Sequence, residues 1–352
     1  MQINRADFLR ALEQVKPSLL KDTSQRSCAL FIDDRIVAYN GQYMIVVPFV
    51  TGFTGAVHAE ELLSVLAKLT AETVDISVQD GRVLIKANRA RLGVRFEDKI
   101  DVPIWDVLHS YDCVRENMLE MPSDILSAFK RAHFCASKDA HDGCLFGLHV
   151  KEGVVSATDK YRAIRIRCES ETARRLPEFI LPAFCVKILT KFAITRIGIQ
   201  DAWAFFADDS GLLFCVRLFA EGSTFPDMSS WFQRSGTDLF LPTELVPALD
   251  KALVFTKVQP ADVGSSVTIT IKPNRIVLYG EGSLGWYEET IQAKNEVSKP
   301  VKFSINPELL RDIVPHVQRA TLGDVVIIFV GDDFEYVAAL YASQEDSGDN
   351  KE

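Results

Sequence analysis

Residues 121–129 read Met-Pro-Ser-Asp-Ile-Leu-Ser-Ala-Phe, and residues 241–249 read Leu-Pro-Thr-Glu-Leu-Val-Pro-Ala-Leu. The two stretches share one pattern, a Pro-Ser/Thr start followed by apolar residues at helical spacing. A third copy of the helical part, Phe-Leu-Arg-Ala-Leu, occupies residues 8–12. A period of roughly 120 residues is much longer than the repeat of a solenoid. The chain is therefore predicted to contain three copies of a whole domain.

Each copy is predicted to contain two helices, each followed by strands that pair as hairpins around polar turns. This order predicts an α+β fold, with two helices packed on antiparallel β-sheets in every domain. The predicted helices cover 5–22, 58–69, 123–138, 183–192, 244–257 and 307–319. The predicted domains are 1–114, 115–235 and 236–343, and the polar, acidic end at 344–352 is expected to be a disordered tail.

Composition is that of a soluble globular protein, with 47% hydrophobic and 25% charged residues among 352. No apolar run is long enough to span a membrane, and the N-terminus has no secretory signal pattern, so a cytoplasmic protein is expected. The seven cysteines are widely spaced and form no C-x-x-C motif. Reduced, mostly buried thiols are expected.

The net charge of −9 argues at first against a nucleic-acid partner. The predicted helices, however, hold about 14 Lys/Arg and about 10 Asp/Glu, so that the acidic excess lies elsewhere. Basic helices on an acidic protein are typical of a polyanion held against one surface. Random variation among solvated helix faces explains the charge difference equally well.

Signals for catalysis are weak. The histidines and cysteines show no metal-ligand spacing, and neither G-x-S-x-G nor a P-loop occurs, so no catalytic residue, metal or cofactor is expected. Residues 280–285, Gly-Glu-Gly-Ser-Leu-Gly, match G-x-G-x-x-G. A dinucleotide site would need a helix to begin here. The following residues, 286–291, favour a strand, and the repeat predicts a hairpin turn instead.

Several motifs are specific enough to indicate a family. Residues 155–163, Val-Ser-Ala-Thr-Asp-Lys-Tyr-Arg-Ala, resemble the V-A-T-D-G-H-R-L segment of bacterial DNA polymerase III beta subunits, the DNA sliding clamps. Phe-Pro-Asp at 225–227, Ser-Ile-Asn-Pro-Glu-Leu-Leu at 304–310 and Glu-Tyr-Val at 335–337 are similar to further segments of that family. The resemblance covers the whole chain in order, length and threefold repeat.

This resemblance implies a non-enzymatic processivity factor in which two chains join head to tail in a closed ring around duplex DNA. Size supports the ring, since six domains each about 35 Å across leave a hole about 35 Å wide for a duplex of about 20 Å. The resemblance also implies a homodimer that acts in the cytoplasm at the nucleoid. Its implied partners are a DNA polymerase and a clamp loader, bound through short peptides. A clamp-fold scaffold that binds proteins without encircling DNA is the alternative.

Three sets of residues follow from the resemblance. Long basic side chains expected to face DNA phosphates without reading bases are Arg10, Lys16, Lys21, Lys68, Lys130, Arg131, Lys138, Lys187, Lys191, Lys251 and Arg311. The expected partner-peptide pocket consists of Leu145, Thr158, Lys160, Tyr161, Arg162, Ala163, Pro226 and Val337. The expected dimer interface places Leu92 and Val94 of one chain against Val254 and Phe255 of the other.

The chain departs from the family pattern at two points of the expected pocket. Lys160-Tyr161 stands where the family usually has Gly-His. Leu340-Tyr341-Ala342-Ser343 stands where the family usually ends in M-P-x-R-L. A partner preference different from the common bacterial one is therefore expected.

Overall fold

The computed structural model describes residues 1–21, 24–220, 222–256, 265–283 and 285–342. The chain divides into two compact units. The first unit joins Met1–Lys130 with Ser170–Ser223, and the second joins Arg131–Glu169 with the described residues of Thr224–Glu352. The expected acidic tail, 344–352, lies outside the described residues.

Every helix predicted from the sequence forms, although most end earlier than predicted. Within the described residues the α-helices are α1 (Arg5–Val15), α2 (Ala59–Lys68), α3 (Ile104–Val114), α4 (Ser123–Ala132), α5 (Glu171–Arg175), α6 (Val186–Leu189), α7 (Leu245–Thr256) and α8 (Pro307–Ile313). Short 3-10 turns follow α1 at Lys16–Ser18 and α4 at His133–Cys135, and another precedes α6 at Ala183–Cys185. Asn306 caps α8 by accepting a hydrogen bond from the Glu308 amide at 3.0 Å.

The strands account for most of the remaining described chain. They are β1 (Gln2–Asn4), β2 (Cys28–Ile32), β3 (Arg35–Tyr39), β4 (Tyr43–Pro48), β5 (Thr54–His58), β6 (Thr73–Gln79), β7 (Arg82–Ala87), β8 (Ala90–Glu97), β9 (Leu119–Glu120), β10 (Gly147–Lys151), β11 (Val154–Thr158), β12 (Arg162–Arg167), β13 (Phe179–Pro182), β14 (Arg196–Gln200), β15 (Trp203–Ala207), β16 (Leu213–Arg217), β17 (Thr237–Phe240), β18 (Val267–Lys272), β19 (Arg275–Gly282), β20 (Gly285–Gln292), β21 (Val301–Ile305), β22 (Arg319–Leu322), β23 (Val326–Val330) and β24 (Phe334–Ala339).

In the first unit, the sheet order is β1-β6-β7-β8-β5-β2-β3-β4-β16-β15-β14-β9, with antiparallel pairing. Its central strands β3 and β4 are buried on both faces, which explains their continuous apolar sequences. Helix α1 packs on one face of these strands, and its Phe8 ring stacks on Phe49 at 5.2 Å. The other face contributes Val37 and Met44 to a core with α3.

Helix α3 is not among the six helices predicted from the sequence. Pro103 precedes it without a side-chain cap, so the usual start signal is missing. Its buried residues Ile104, Val107 and Leu108 have helical spacing nonetheless, and they pack on the central sheet. The helix has no counterpart in the predicted repeat, which is why the repeat pattern could not indicate it.

In the second unit, strands run β10-β11-β12-β24-β23-β22-β17 in one antiparallel sheet and β20-β19-β18-β21 in another. Helices α7 and α8 pack against each other, and α7 also packs on β19 and β20. Strands of the predicted second domain therefore belong to both units. In the first unit β16 pairs with β4 of the first domain, and in the second unit β12 pairs with β24 of the third domain. The predicted domain boundaries are not tested by this division.

The predicted hairpins form at each turn motif. Residues 80–81 join β6 and β7, residues 208–211 lie between β15 and β16, and residues 331–333 join β23 and β24. The G-x-G-x-x-G stretch is a hairpin too, since Gly282 pairs directly with Gly285 between β19 and β20. A βαβ dinucleotide site is incompatible with this pairing.

The cysteines are all within the described residues and none forms a disulfide, as expected. Five are buried, Cys144 is half-buried and Cys113 is exposed. Burial raises the pKa of the Cys28 thiol to about 11, so this thiol stays protonated at neutral pH.

Gly282 is required for packing, and its replacement tests the hairpin assignment. A Cβ atom at position 282 would lie 2.1 Å from the backbone oxygen of Phe255 at the end of α7. Because backbone atoms cannot yield as a side chain does, we expect Gly282→Ala to lower the free energy of unfolding by about 1–3 kcal/mol in urea titrations. The matched control is Gly280→Ala, where a Cβ would approach only side-chain atoms, at 3.2 Å. An equal effect of the two substitutions would contradict the close approach.

Candidate functional site

The turn between β11 and β12 holds most of the expected pocket residues. The Thr158 side chain is fully buried, and its hydroxyl donates to the Arg162 carbonyl at 2.7 Å. The Asp159 carboxylate accepts hydrogen bonds from the amides of Tyr161 and Arg162 at 3.1 and 3.0 Å. Lys160 has a positive φ of 79°, a conformation that favours glycine. The glycine usual at this position in the resembled family therefore has a conformational reason.

Arg162 holds this turn in place from the protein interior. The residue is only 5% exposed, and its guanidinium contacts Asp159 at 2.9 Å and Asp312 of α8 at 2.7 Å. It also lies over the Phe134 ring, 5.3 Å from the centroid. A buried guanidinium is tolerated only with such partners. Arg162 is therefore a structural support of the turn, and Tyr161, 68% exposed, is the side chain that the turn presents to solvent.

A second segment, residues 137–146, is fastened to the same turn. Asp142 accepts hydrogen bonds from the Lys160 ammonium and, at 2.6 Å, from the Ser137 hydroxyl. These two donors hold the pKa of the Asp142 carboxyl below its ordinary value. The Ser137 amide donates to the Leu145 carbonyl at 2.8 Å, which places half-buried Leu145 in the same segment.

The apolar floor of the expected pocket belongs to a packed cluster. Ala163 pairs directly with Val337 of β24 across the sheet. Both pack with Met228, Phe232 and Ile328. Phe225 packs against this cluster, and the next residue in the chain, Pro226, is half-buried. The structure thus brings all eight expected pocket residues into one unit, but Ala163 and Val337 are almost fully buried there.

Exposed apolar residues that the expected pocket set omits lie beside Tyr161. The Tyr161 carbonyl accepts a hydrogen bond from the Ala339 amide at 2.8 Å, at the end of β24. The next residue, Leu340, donates to Val325 at 2.9 Å. Val325 is 71% exposed and Tyr341 is 38% exposed. The departure of residues 340–343 from the family pattern was the sequence signal for this region.

Most of the expected DNA-facing residues of the first unit lie on helices or in the turns that follow them. Lys21 does not, because α1 and its 3-10 turn end at Ser18, before the predicted helix end at 22. Lys16, Lys21, Lys68, Lys187 and Lys191 are exposed and form no ion pair among the described residues. Arg10 is exposed and contacts Asp7 one turn earlier at 3.3 Å; Lys130 is exposed at the end of α4. All seven belong to the set that the family resemblance implied would face DNA.

The expected DNA-facing residues of the second unit have a different environment. Arg131 is half-buried and forms a two-bond ion pair with Asp333, which lowers the pKa of that carboxyl. The Lys251 ammonium contacts Glu289 at 3.0 Å, and the Arg311 guanidinium contacts Asp312 at 3.0 Å. Lys138 alone of this set has no ion pair within the described residues.

Strand β8 of the first unit has an open side and carries the expected interface residues. It pairs with β7 along its length, whereas its other side meets β5 only at Phe96 and Glu97. Half-buried Leu92 and Val94 lie on one face of β8. The opposite face has like charges directly across the strands, Arg82 opposite Arg95 and Lys86 opposite Arg91. Such pairs are destabilising unless anions lie nearby, and Arg95 has only an exposed contact with Glu97 at 3.5 Å.

Strand β20 forms an edge of the second unit's smaller sheet. Its exposed face is acidic and aromatic, with Glu288 and the 63% exposed Trp286, and Glu281 lies directly opposite Trp286 on β19. Next to this strand, the Phe255 ring of α7 stacks on Tyr287 at 6.1 Å, and Val254 is 66% exposed.

The described residues contain no group of three or more His, Cys, Asp or Glu side chains that could hold a metal ion. Among the helices in the described part of the chain, none is long and apolar enough to cross a membrane.

No protein-family model and no curated protein sequence matches this chain. Solved structures do match it. The DNA polymerase III subunit beta of Pseudomonas aeruginosa has a TM-score of 0.80 at 16% identity, covering 97% of this chain and 99% of that chain. A DNA polymerase sliding clamp from Bacillus subtilis has a TM-score of 0.78 at 17% identity, covering 97% and 98%. A sliding clamp from Bartonella birtlesii bound to griselimycin has a TM-score of 0.81 at 18% identity, covering 97% and 99%. The chain therefore has the fold of bacterial sliding clamps, and the predicted resemblance and α+β class are confirmed.

Proposed function

We propose that this protein is a DNA sliding clamp. Two chains join head to tail in a ring around duplex DNA, and the ring tethers the replicative polymerase and other partners after a clamp loader has placed it. The observation that carries the proposal is the likeness of fold to sliding clamps over 97% of the chain. The ring acts by topological linkage in the cytoplasm, at the nucleoid, and uses no catalytic residue and no cofactor.

The ring closes by pairing β8 of one chain with β20 of the other. Both strands span eight residues and have an open side, and an unpaired edge of that length favours association with another strand. Their charges are complementary, since Arg91 and Arg95 lie on β8 whereas Glu288 lies on β20 and Glu281 beside it. Acidic residues from the partner chain relieve the repulsion between like charges across β7 and β8.

Apolar contacts complete the interface. Leu92 and Val94 face the partner's α7 end, where Val254 is exposed and Phe255 is half-buried against Tyr287. A heterologous contact used twice by two chains forms a closed ring without free ends.

Inside the ring, exposed lysines contact phosphates without reading bases, so the ring slides. Such contacts are weak singly and fall steeply with salt. The second candidate function is a scaffold that does not encircle DNA. The carboxylate partners of Arg131, Lys251 and Arg311 would suit it, but the likeness to sliding clamps over 97% of the chain favours the clamp.

Partner peptides bind beside the β11–β12 turn. Support comes from the exposed Tyr161 on a turn that Arg162 holds in place, and from the neighbouring exposed Val325 and Tyr341. An aromatic side chain on a rigid turn provides a large contact area at a small cost in conformational entropy. Because Tyr161 and Tyr341 enlarge the aromatic surface, the preferred peptide carries aliphatic or aromatic anchors.

A charge exchange tests the ring and the function together. We expect Arg91→Glu with Arg95→Glu to abolish dimers, because both faces of the interface are then acidic, and Glu281→Arg with Glu288→Arg to do the same with basic faces. An equimolar mixture of the two variants restores both interfaces of a head-to-tail dimer. The measurement is retention on nicked circular DNA after loading by a clamp loader, followed by release when the circle is cut.

The control for this exchange is Arg115→Glu, an exposed position outside both strands, which is expected to form dimers and retain circles like the wild type. If wild-type rings stay bound after linearisation, or never load, the clamp function is wrong. If wild-type rings load and release but the mixture does not recover, only the strand assignment is wrong.

Truncation of Tyr161 tests the peptide site. We expect Tyr161→Ala to weaken binding of griselimycin, the ligand bound in the Bartonella birtlesii structure, by about tenfold, equal to about 1.4 kcal/mol. The measurement is isothermal titration calorimetry. The control is Trp105→Ala, since Trp105 is half-exposed on α3 of the other unit. Equal affinities of the Tyr161 variant and the wild type would contradict the site.

A further inference from the structure

The basic residues of the two units differ in one respect that bears on how DNA is held. In the first unit, Lys16, Lys187 and Lys191 are exposed and have no carboxylate partner among the described residues. In the second unit, the corresponding expected contacts Arg131 and Lys251 are each paired with an acid. The sequence prediction placed the basic residues of both units in one DNA-facing set and so did not separate the unpaired lysines from the paired cations.

Aromatic packing holds together the two backbone segments that carry Lys16, Lys187 and Lys191. The Tyr43 hydroxyl donates to the carbonyl of Pro17, next to Lys16, at 2.6 Å. The Tyr43 ring contacts Phe184 at 5.7 Å, three residues before Lys187. Two aromatic rings, Tyr43 and Phe214, thus connect the end of α1 with the segment that carries α6.

The far end of that segment is fixed by the same rings. Phe192, next to Lys191, packs on Phe214 at 6.2 Å, and Phe214 contacts Tyr43 at 5.8 Å. The backbone from 184 to 192 and the backbone at 16–17 are therefore held around one buried aromatic pair. We call Lys16, Lys187 and Lys191 the lysine patch.

Acids neutralise three of the four expected DNA-facing cations of the second unit locally, namely Arg131, Lys251 and Arg311 but not Lys138. Hydrogen bonding to Glu289 raises the pKa of Lys251, and hydrogen bonding from Arg131 lowers the pKa of Asp333. Arg311 lies between Asp312 at 3.0 Å and Asp250 at 3.9 Å. A phosphate that approached these cations would displace a carboxylate and then be repelled by it, so little counterion release is gained.

We infer that the clamp holds the DNA backbone through the lysine patch of the first unit, while the paired cations of the second unit contribute little to phosphate binding. This inference rests on the proposed clamp function. Each chain then contacts the duplex mainly through its first unit. The ring has two such contact regions because it contains two chains. The ligand chemistry is the phosphate of double-stranded DNA, and base sequence has no part in it.

The test compares two triple variants that remove the same charge. One is Lys16→Gln, Lys187→Gln and Lys191→Gln; the other is Arg131→Gln, Lys251→Gln and Arg311→Gln. Binding of the full-length protein to a fluorescent 30-base-pair duplex is measured by anisotropy over a range of salt concentrations. Each lost phosphate contact reduces the slope of log K against log salt by about 0.9. We expect the first variant to lose about that amount per lysine, and the second to lose less than one contact.

Folding controls keep the comparison decisive. A third variant, with arginine at the three lysine-patch positions, keeps the charge and is expected to keep the wild-type slope. Urea unfolding of each triple variant identifies any effect of misfolding, and a misfolded second variant is replaced by Lys251→Gln with Arg311→Gln. Equal losses of slope in the two groups, or a larger loss in the second, would overturn the inference. Absence of salt-dependent duplex binding by the wild type would also overturn the inference, whereas the proposed function is decided separately by retention on nicked circular DNA and release after cutting.

Discussion

Pairing of strands from successive repeats is the constraint on which the rest of the structure depends. β4 of the first repeat pairs with β16 of the second, and β12 of the second pairs with β24 of the third. Each pairing covers an edge that would otherwise attract foreign strands. The second pairing also sets Ala163 opposite Val337 and so builds the floor beside the β11–β12 turn. The long edges left open, β8 and β20, are oppositely charged, which is why the proposal closes the ring there.

Local electrostatics carry more information than the net charge of −9. The same residue type has different consequences according to its neighbours. Lys16 is exposed without an acidic partner in the described chain, whereas Lys251 has Glu289 at 3.0 Å. Arg162 is buried between two aspartates and supports a turn, although the sequence motif alone suggested a pocket-lining role. Charge counted along helices therefore exaggerates the surface available to a polyanion.

The sequence predicted the helices and hairpin turns, whose signals depend on the spacing of residues close together in the chain. Apolar residues at helical intervals placed all six helices, and Asp-Gly or Gly-Asp-Asp turns placed the hairpins, because both signals lie within a few residues. Helix α3 was missed because Pro103 opens it without a cap and no repeat partner marks it. Contacts between distant residues were not predictable. The pairs Arg131–Asp333 and Arg162–Asp312 join residues 202 and 150 positions apart, so no local pattern reports them. The backbone at Lys160 was indicated only by comparison, since glycine is usual there.

Covalent closure of the ring measures the central claim most directly. Cysteines introduced at Arg91 and Glu288, in a chain whose exposed Cys113 is replaced by serine, are joined with a flexible bismaleimide after loading onto nicked circular DNA. Two chains linked at both interfaces should remain on the circle through denaturation in detergent and leave it once the DNA is cut. Circles that lose the doubly linked protein in detergent, while still intact, would show that the DNA never passed through the ring and would contradict the account.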